Sequence, residues 1–388
     1  MQILDAIFRR IYSSNQLRKY PLTLDSTSKE LKGTVLFSYI PDGLLYPEQD
    51  PYFRGHSNKR ESREIALIFS KLGYAVEAID WTDQMFYPAK HYDVIFDIHM
   101  NLQRLAPLID DSTIKLLHLT GSYPSYQNNA EIGRVQALEC RRDVRYFPKR
   151  VVAYSSLEDR GVEIADACTL IGNARTLATY PDRYREKITL ITVTASEEVR
   201  IKQPDEYVPE EREFLWFFGS GAVHKGLDLV LEVFAQNPDL TLNIVGDIGH
   251  EKDFMKIYQR ELTILPNIKR HGYLLPNNIK FNNILKKVFC FIAPSCSEAI
   301  STAAATCMQI GLYPIVSYNT GITLPDQCGI YLETCSIEEI QQTVRAAYRM
   351  PPKILESQIR CCQKYALEQY SRRKFSQQMT DFLSKTLS

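Results

Sequence analysis

From residue 33 onward, short apolar runs and amphipathic helical segments alternate, lapse once, and then start again. "GTVLFSYI" reads as a strand, followed by a polar loop through Asn58. A helix comes next, with Ile65, Ile68, Phe69 and Leu72 at i, i+3, i+4 and i+7. Asn58 and Glu61, three residues apart, read as a capping pair at its start. "YAVEAIDW", "YDVIFDIHM", "IKLLHLT", "DACTLIGN" and "KITLITVT" continue as strands. Apolar runs of this length, divided by helices, indicate a mostly parallel sheet covered on both faces. Over Glu197–Arg212 the pattern lapses into the polar, proline-punctuated "EEVRIKQPDEYVPEER", which reads as an interdomain linker. The alternation then restarts through "EFLWFFG", "LTLNIVG", "NIKRHGYL", "VFCFIAPS" and "LYPIVSY".

A chain of 388 residues is too long for one core. The expected fold class is therefore α/β, as two Rossmann-like domains with a ligand cleft between them. The last segment, "YSRRKFSQQMTDFLSKTL", carries Phe375, Met379, Phe382 and Leu383 on one stripe, which must pack against something. Lys and Arg total 46 and so do Asp and Glu, so no global field recruits nucleic acid. The basic cluster "ECRRDVRYFPKR" (Glu139–Arg150) reads as solvated surface, because no aromatic-basic platform repeats.

Nine cysteines without a C-x-x-C, and seven histidines outside zinc spacing, give no metal site and suggest buried free thiols in a reducing cytosol. No apolar run approaches the roughly 18 residues of a spanning helix. The N-terminus is not a signal peptide. Its "MQILDAIFRRIYSSNQLRKY" places Ile3, Leu4, Ile7, Phe8 and Ile11 on one face. That face either docks on the protein itself or makes a peripheral membrane contact.

Two stretches carry candidate chemistry. In "FFGSGAVHKGLDLVL" a strand leads through Gly219, Gly221 and Gly226 into a helix, with Lys225 beside the turn. Two readings stand: a diphosphate site at a helix N-terminus, or a tight turn with an exposed lysine. A P-loop is excluded, because Leu227 and Asp228 follow Gly226, and the third glycine comes too late for a dinucleotide fingerprint. In "SEAISTAAATCMQIGLYPIVS", Glu298 follows a strand and opens a helix expected over Ala299–Ile310, stopped by Gly311. As a dipole partner alone it contributes about 0.3–1 kcal/mol. As an acceptor for sugar hydroxyls it also orients a ligand, with the N–H groups of Ala299, Ile300, Ser301 and Thr302 beside it.

The blocks "FGSGAVHKGLDLVLEVF", "LTLNIVGD", "NIKRHGYL" and "APSCSEAISTAAATCMQIGLYPIVS", in this order, resemble the C-terminal half of a GT-B glycosyltransferase of the retaining family 4, or group 1, type. The resemblance implies an acceptor-binding domain over 1–200, a nucleotide-sugar-binding domain over 201–365, and a helix over 366–388 returning to the first domain. It implies donor contacts from Gly219, Ser220, Gly221, Lys225, Gly246, Tyr273, Glu298 to Thr302, and Thr306. Lys225 matches the phosphate-binding lysine, and Glu298 the first glutamate of the E-x7-E motif. Two positions depart from the pattern. Ser220 stands where an arginine is usual, and Thr306 stands where a second glutamate binds the ribose. Eight residues of helix span about 12 Å, so one helix reaches both ends of a nucleotide sugar.

His56, Asn58 and Arg60 in "FRGHSNKRE", with Tyr126 in "GSYPSYQNNAE", are the acceptor-side candidates. His99 and His118, each near a strand's C-terminal end, join Glu298 as catalytic candidates. No D-x-D occurs, so the expectation is a metal-free leaving diphosphate held by Lys225, loop N–H groups and a helix dipole. No cofactor is expected beyond the nucleotide sugar as co-substrate. The expected partners are that nucleotide sugar and a sugar or lipid-linked acceptor, in the cytoplasm. Two alternatives stand: a GT-B nucleotide-sugar epimerase, which needs a carboxylate pair in the cleft, and a degenerate binding or scaffold subunit, which Ser220 and Thr306 keep open.

Overall fold

The computed structural model describes residues 21–388 apart from His56, Tyr154 and Glu197; the amphipathic N-terminal stretch and the His56 candidate lie outside the described residues. Each apolar run of the sequence becomes a strand. In the first sheet β2 (Gly33–Tyr39), β3 (Tyr74–Asp80), β4 (Val94–Asp97), β5 (Ile114–Leu119), β6 (Ala167–Ile171) and β7 (Ile188–Ile191) run parallel, in the order β3-β2-β4-β5-β6-β7. An antiparallel strand, β1 (Leu22–Leu24), edges β3. The second sheet is parallel throughout, in the order β10-β9-β8-β11-β12-β13, from β8 (Glu213–Phe217), β9 (Leu242–Val245), β10 (Ile268–Gly272), β11 (Val288–Ala293), β12 (Tyr313–Ser317) and β13 (Ile330–Leu332). β1 and β13 carry no sequence signal, since three residues are too few to show a periodicity.

Both sheets are covered by helices, so their strands are buried on two faces: Val35, Leu36 and Phe37 are fully buried, as are Phe289, Cys290 and Ile292. The helix Arg372–Thr386 places Phe375, Met379, Phe382 and Leu383 in the core of the first domain, against Ile65, Phe69 and Ile191. Among the described residues, no helix is long and apolar enough to cross a membrane.

Within the linker stretch, the described residues 198–212 form no strand, only a single 3-10 turn at Pro204–Glu206, but they do not hang free. Lys202 is buried, and its ammonium donates to the Val288 carbonyl at 2.6 Å and the Glu206 carbonyl at 3.0 Å.

The helix Pro124–Arg142 corrects the surface reading of the basic cluster at Arg141, Arg142 and Tyr146, while Arg145, Lys149 and Arg150 are exposed. It belongs to the first domain by sequence, but Val135, Leu138 and the following Tyr146 are buried in the core of the second. Arg141 pairs with the fully buried Asp228 at 2.5 Å, and Arg142 with the buried Glu261 at 2.9 Å; both also reach Glu232. The Arg142 guanidinium lies over the Tyr258 ring. These cations neutralise buried acids of the other domain, so removing one partner would leave a buried charge, a loss of about 3–5 kcal/mol. A second correction concerns the cysteines. Cys328 and Cys361 form a disulfide with Cα atoms 6.1 Å apart, while the other seven are free thiols.

The Lys202 site makes folding pH-dependent. Burial pushes its ammonium down to about 7. The unfolded side chain titrates near ~10.4, so between these values the unfolded state binds more protons and stability rises with pH. The penalty is complete below the folded value, and the slope within the window reaches about 1.4 kcal/mol per pH unit. Lys202→Met should flatten this rise. Urea midpoints at about pH 6, 8 and 9.5 test it, and a slope equal to wild type would mean that the ammonium is solvated.

Candidate functional site

The C-terminal strand ends of both sheets open onto one cleft of about 490 Å³, a size suited to a nucleotide-sized ligand. From the first domain the end of β2 contributes Tyr39, and the turns after β2, β4, β5 and β7 contribute Ile40, Ile98 and His99, Thr120, and Val193. From the second, the turns after β8 and β11 contribute Gly219 and Ser220, and Glu298 with the residues after it.

The helix after Glu298 begins later than its sequence suggests. Thr302–Ile310 is helical, and Ser301 is the N-cap, its hydroxyl accepting from the Ala304 N–H at 3.3 Å. Residues 294–301 form a loop, so Glu298 is not in the helix. Gly311 ends the helix in the left-handed conformation, as expected. The loop is held from the first domain. Ser122 donates to the Glu298 carbonyl at 2.8 Å and Thr176 to the Ala299 carbonyl at 3.0 Å. Gly321 packs so closely that a Cβ there would fall 1.6 Å from the Ala299 carbonyl oxygen, at a φ of +66°.

Lys225 and Glu298 form a salt bridge on the cleft wall, each side chain nearly buried. This removes the exposed-lysine reading of the glycine-rich turn. Burial opposes the charge on Glu298, yet Lys225, with His224 behind it, holds its carboxyl below the ordinary carboxylate range. His224 is buried between the Glu131 carboxylate, 2.7 Å from Nδ1, and the Ser297 carbonyl at Nε2. Cys296 completes the only potential ligand cluster among the described residues, with Glu131 and His224. The Glu131 oxygens are already taken by His224 and by the Lys149 and Arg150 N–H groups. This cluster is a clamp between the two chain segments.

The glycine-rich loop does not offer all the N–H groups expected of it. Gly221 and Ala222 donate to the Glu251 carboxylate at 2.6 and 3.0 Å. Gly221 therefore faces a side depression and not the main cleft, whereas Gly219 and Ser220 remain on the cleft wall. Gly246 is also absent from that wall; it packs under the Phe218 carbonyl, which a Cβ would approach to 2.5 Å.

Of the other donor-side candidates, Tyr273 and the run Ala299–Thr302 line the cleft, as does Thr306. The Thr306 Oγ1 accepts from the Ser196 N–H at 3.1 Å, so it pins the segment that crosses between the domains.

Of the remaining candidates, Asn58 from the acceptor set and His99 from the catalytic set line the cleft, His99 with its ring edge-on to Trp81. His118 does not. It is fully buried, with Nδ1 at 2.7 Å from the Thr169 hydroxyl, and burial depresses it to about 3, so it is a neutral core residue. Arg60 lies outside the main cleft, donating to the Glu48 carbonyl and stacking on Phe53. Tyr126 stands on the surface and donates to Asn319 at 2.9 Å.

Three cleft residues escape a reading of the sequence. Trp81 ends "YAVEAIDW", and Arg150 ends the cluster read as surface. Glu61, read as a cap, is instead buried and accepts from the Thr194 N–H at 3.0 Å and its hydroxyl at 2.7 Å. Burial raises its carboxyl despite those bonds. Glu61 and Glu298 are the only carboxylates on the cleft wall among the described residues.

Two parallel α/β domains facing each other across such a cleft are the GT-B arrangement. Among solved structures, the chain is similar to the sucrose-phosphate synthase of Thermosynechococcus elongatus, with a TM-score of 0.64 at 12% identity, covering 91% of this chain and 98% of that one. It is similar to a glycosyltransferase of Rickettsia africae, with a TM-score of 0.60 at 11% identity over 93% and 100%. Anabaena HepE in complex with UDP and glucose matches with a TM-score of 0.58 at 12% identity over 91% and 100%. No curated protein matches at a significant level. Residues 199–362 match the family described as glycosyl transferases group 1. The second domain thus resembles group 1 glycosyl transferases over residues 199–362, within a chain of GT-B fold.

Because Lys225 and Glu298 are paired and nearly buried, neither can be removed without consequence for folding. Lys225→Met or Glu298→Gln alone should lower stability, by up to about 3–5 kcal/mol, through the uncompensated partner. The double variant should recover most of that loss. Denaturant midpoints of the three variants test this; additive losses in the double would show that the pair is not coupled in the folded state.

Proposed function

We propose that the chain transfers a glycosyl unit, a hexosyl unit by resemblance, from a nucleotide-diphosphate sugar to an acceptor hydroxyl in the cytoplasm. The reading includes retention of anomeric configuration and a diphosphate held without metal. The Met1–Tyr20 stretch is its candidate membrane contact.

One observation carries the reading. Glu298 and Lys225 meet on the cleft wall beside the N-terminus of the Thr302–Ile310 helix, within the segment matched to group 1 glycosyl transferases. This puts a carboxylate acceptor for sugar hydroxyls next to an ammonium and a positive dipole end suited to phosphates. Binding of a diphosphate to Lys225 would relieve its pairing with Glu298 and release the carboxylate to the sugar. The leaving diphosphate would be stabilised by Lys225, the Gly219–Ser220 turn and the first N–H groups of that helix. Glu298 is assigned to positioning the donor, and no residue is assigned as a covalent nucleophile. His99, contributed to the cleft wall by the first domain, is assigned to the acceptor's side of the reaction. HepE, a structure of the same fold, is described with UDP and glucose, which supports a nucleotide-sugar donor.

The epimerase alternative loses ground. It needs an acid/base carboxylate pair in the cleft, and Glu61 is engaged by Thr194. The binding-subunit alternative draws on Thr306, whose hydroxyl is bonded to the chain itself.

A thermal-shift panel of UDP-, GDP- and ADP-sugars, followed by an assay for released nucleoside diphosphate, separates these readings. Stabilisation by one donor class with slow hydrolysis is the expected result. Stabilisation without turnover in the presence of varied acceptors would favour the binding subunit. No shift with any donor would overturn both.

A further inference from the structure

Ser220 leaves the phosphate end of the cleft one positive charge short of the pattern this domain resembles. We propose that Arg150, carried in from the first-domain part of the sequence, is the second cation for the donor diphosphate. This rests on the nucleotide-sugar reading and adds to it a residue outside the matched segment 199–362.

Position supports it first. Arg150 lies on the wall of the main cleft together with Ser220, Lys225 and Glu298, and also borders the side depression at Ser220 and Gly221. Its aliphatic stem lies over Gly221: a Cβ there would stand 3.2 and 3.3 Å from the Arg150 Cγ and Cδ. The guanidinium therefore projects from the same turn on which an arginine at position 220 would sit.

The backbone of Arg150 is fixed to that turn. Its N–H donates to the Glu131 Oε1 at 3.2 Å and its carbonyl accepts from Gln127 at 2.7 Å. The other Glu131 oxygen holds His224, the residue before Lys225. One buried carboxylate thus sets the position of both cations, so the distance between them is built into the fold.

Availability completes the case. Arg141 and Arg142, earlier in the same cluster, end on buried acids. Among the described residues the Arg150 guanidinium is exposed and has no hydrogen-bond or ion-pair partner. Its charge is nonetheless felt at both Lys225 and Glu298. On the cleft wall Arg150 adds a second cation to the Lys225–Glu298 pair, while the Glu251 carboxylate is turned onto the Gly221 and Ala222 N–H groups; a guanidinium beside an ammonium matches the several oxygens of a diphosphate.

Arg150→Met keeps the stem over Gly221 and removes the charge. Titration calorimetry with UDP, GDP and ADP, and with uridine, guanosine and adenosine, reads the effect. The variant should bind the preferred diphosphate roughly 10–100-fold more weakly, as for the loss of a charge-assisted hydrogen bond, with nucleoside binding and melting temperature unchanged. Ser220→Arg in the Arg150→Met background should restore most of the affinity. A diphosphate affinity within about twofold of wild type, an equal loss for the nucleoside, or no rescue by Ser220→Arg would overturn the assignment. If wild type binds none of the three diphosphates, the donor reading itself fails; if wild type binds and the variant binds equally, only Arg150 is excluded.

Discussion

The buried Glu131–His224 contact is the interaction on which the geometry of the cleft depends. A carboxylate at this depth is costly unless it is hydrogen-bonded, and here two N–H groups and an imidazole engage both of its oxygens. The same bonds tie the helix Pro124–Arg142 and the segment after it to the glycine-rich turn of the other domain. Around this point Arg141 and Arg142 neutralise buried acids, and Val135 and Leu138 fill apolar space. The helix therefore bridges to the second domain, although it is separated from it in sequence by more than fifty residues. An opening of the cleft that leaves this helix bound to the second domain keeps its buried ion pairs intact. The alternative is to break buried ion pairs and expose core side chains at the same time.

The first domain also contacts the donor-side loop directly. Ser122 and Thr176 hold the carbonyls of Glu298 and Ala299, and Asn173 donates to the Gly321 carbonyl at 2.9 Å. These are neutral bonds to backbone, each worth about 0.5–1.5 kcal/mol net. They set the path of the chain around Glu298 but are individually weak, in contrast with the ionic clamp at Glu131. The two kinds of contact divide the interface into a fixed part and a part that can separate. The weaker part lies beside Glu298, the carboxylate proposed to bind the donor sugar.

How much of this is legible in the sequence depends on the range of the signal. Parallel strands buried on both faces announce themselves within six or seven residues, and so does a helix stopped by glycine, as at Gly311. Glu298 reads correctly as a strand-end residue, but Ala299 and Ile300 look as helical as Ala303 and Ala304. Only the Ser301 hydroxyl, bonded back to Ala304, decides where the helix starts. His118 sits at the same kind of strand end as His99, and a one-residue difference in facing turns it into the core beside Thr169. Arg141, Arg142 and Arg150 form one basic string in the sequence. Their partners or neighbours lie some 70 to 120 residues further on, and no local pattern carries that information. Glu61 misleads for the same reason: a cap is a local reading, while Thr194 is 133 positions away.

Thr306 shows how the two ends of the cleft compensate. A carboxylate at that position would accept ribose hydroxyls through charge-assisted bonds worth about 1.5–3 kcal/mol each, against roughly 0.5–1.5 for a neutral hydroxyl. In this chain the Thr306 oxygen is also engaged by Ser196, on the segment that joins the domains. The nucleoside end of the proposed donor site therefore has less to contribute than the resemblance alone suggests. A larger share of affinity then falls to the phosphate end, where Lys225, Arg150 and the N-terminus of the Thr302–Ile310 helix converge. Recognition weighted towards phosphates is strong at low ionic strength and falls with salt. It also discriminates weakly between bases, because the diphosphate is common to all of them. With a threonine at position 306, the proposed site would read the charge of a donor more than its nucleoside.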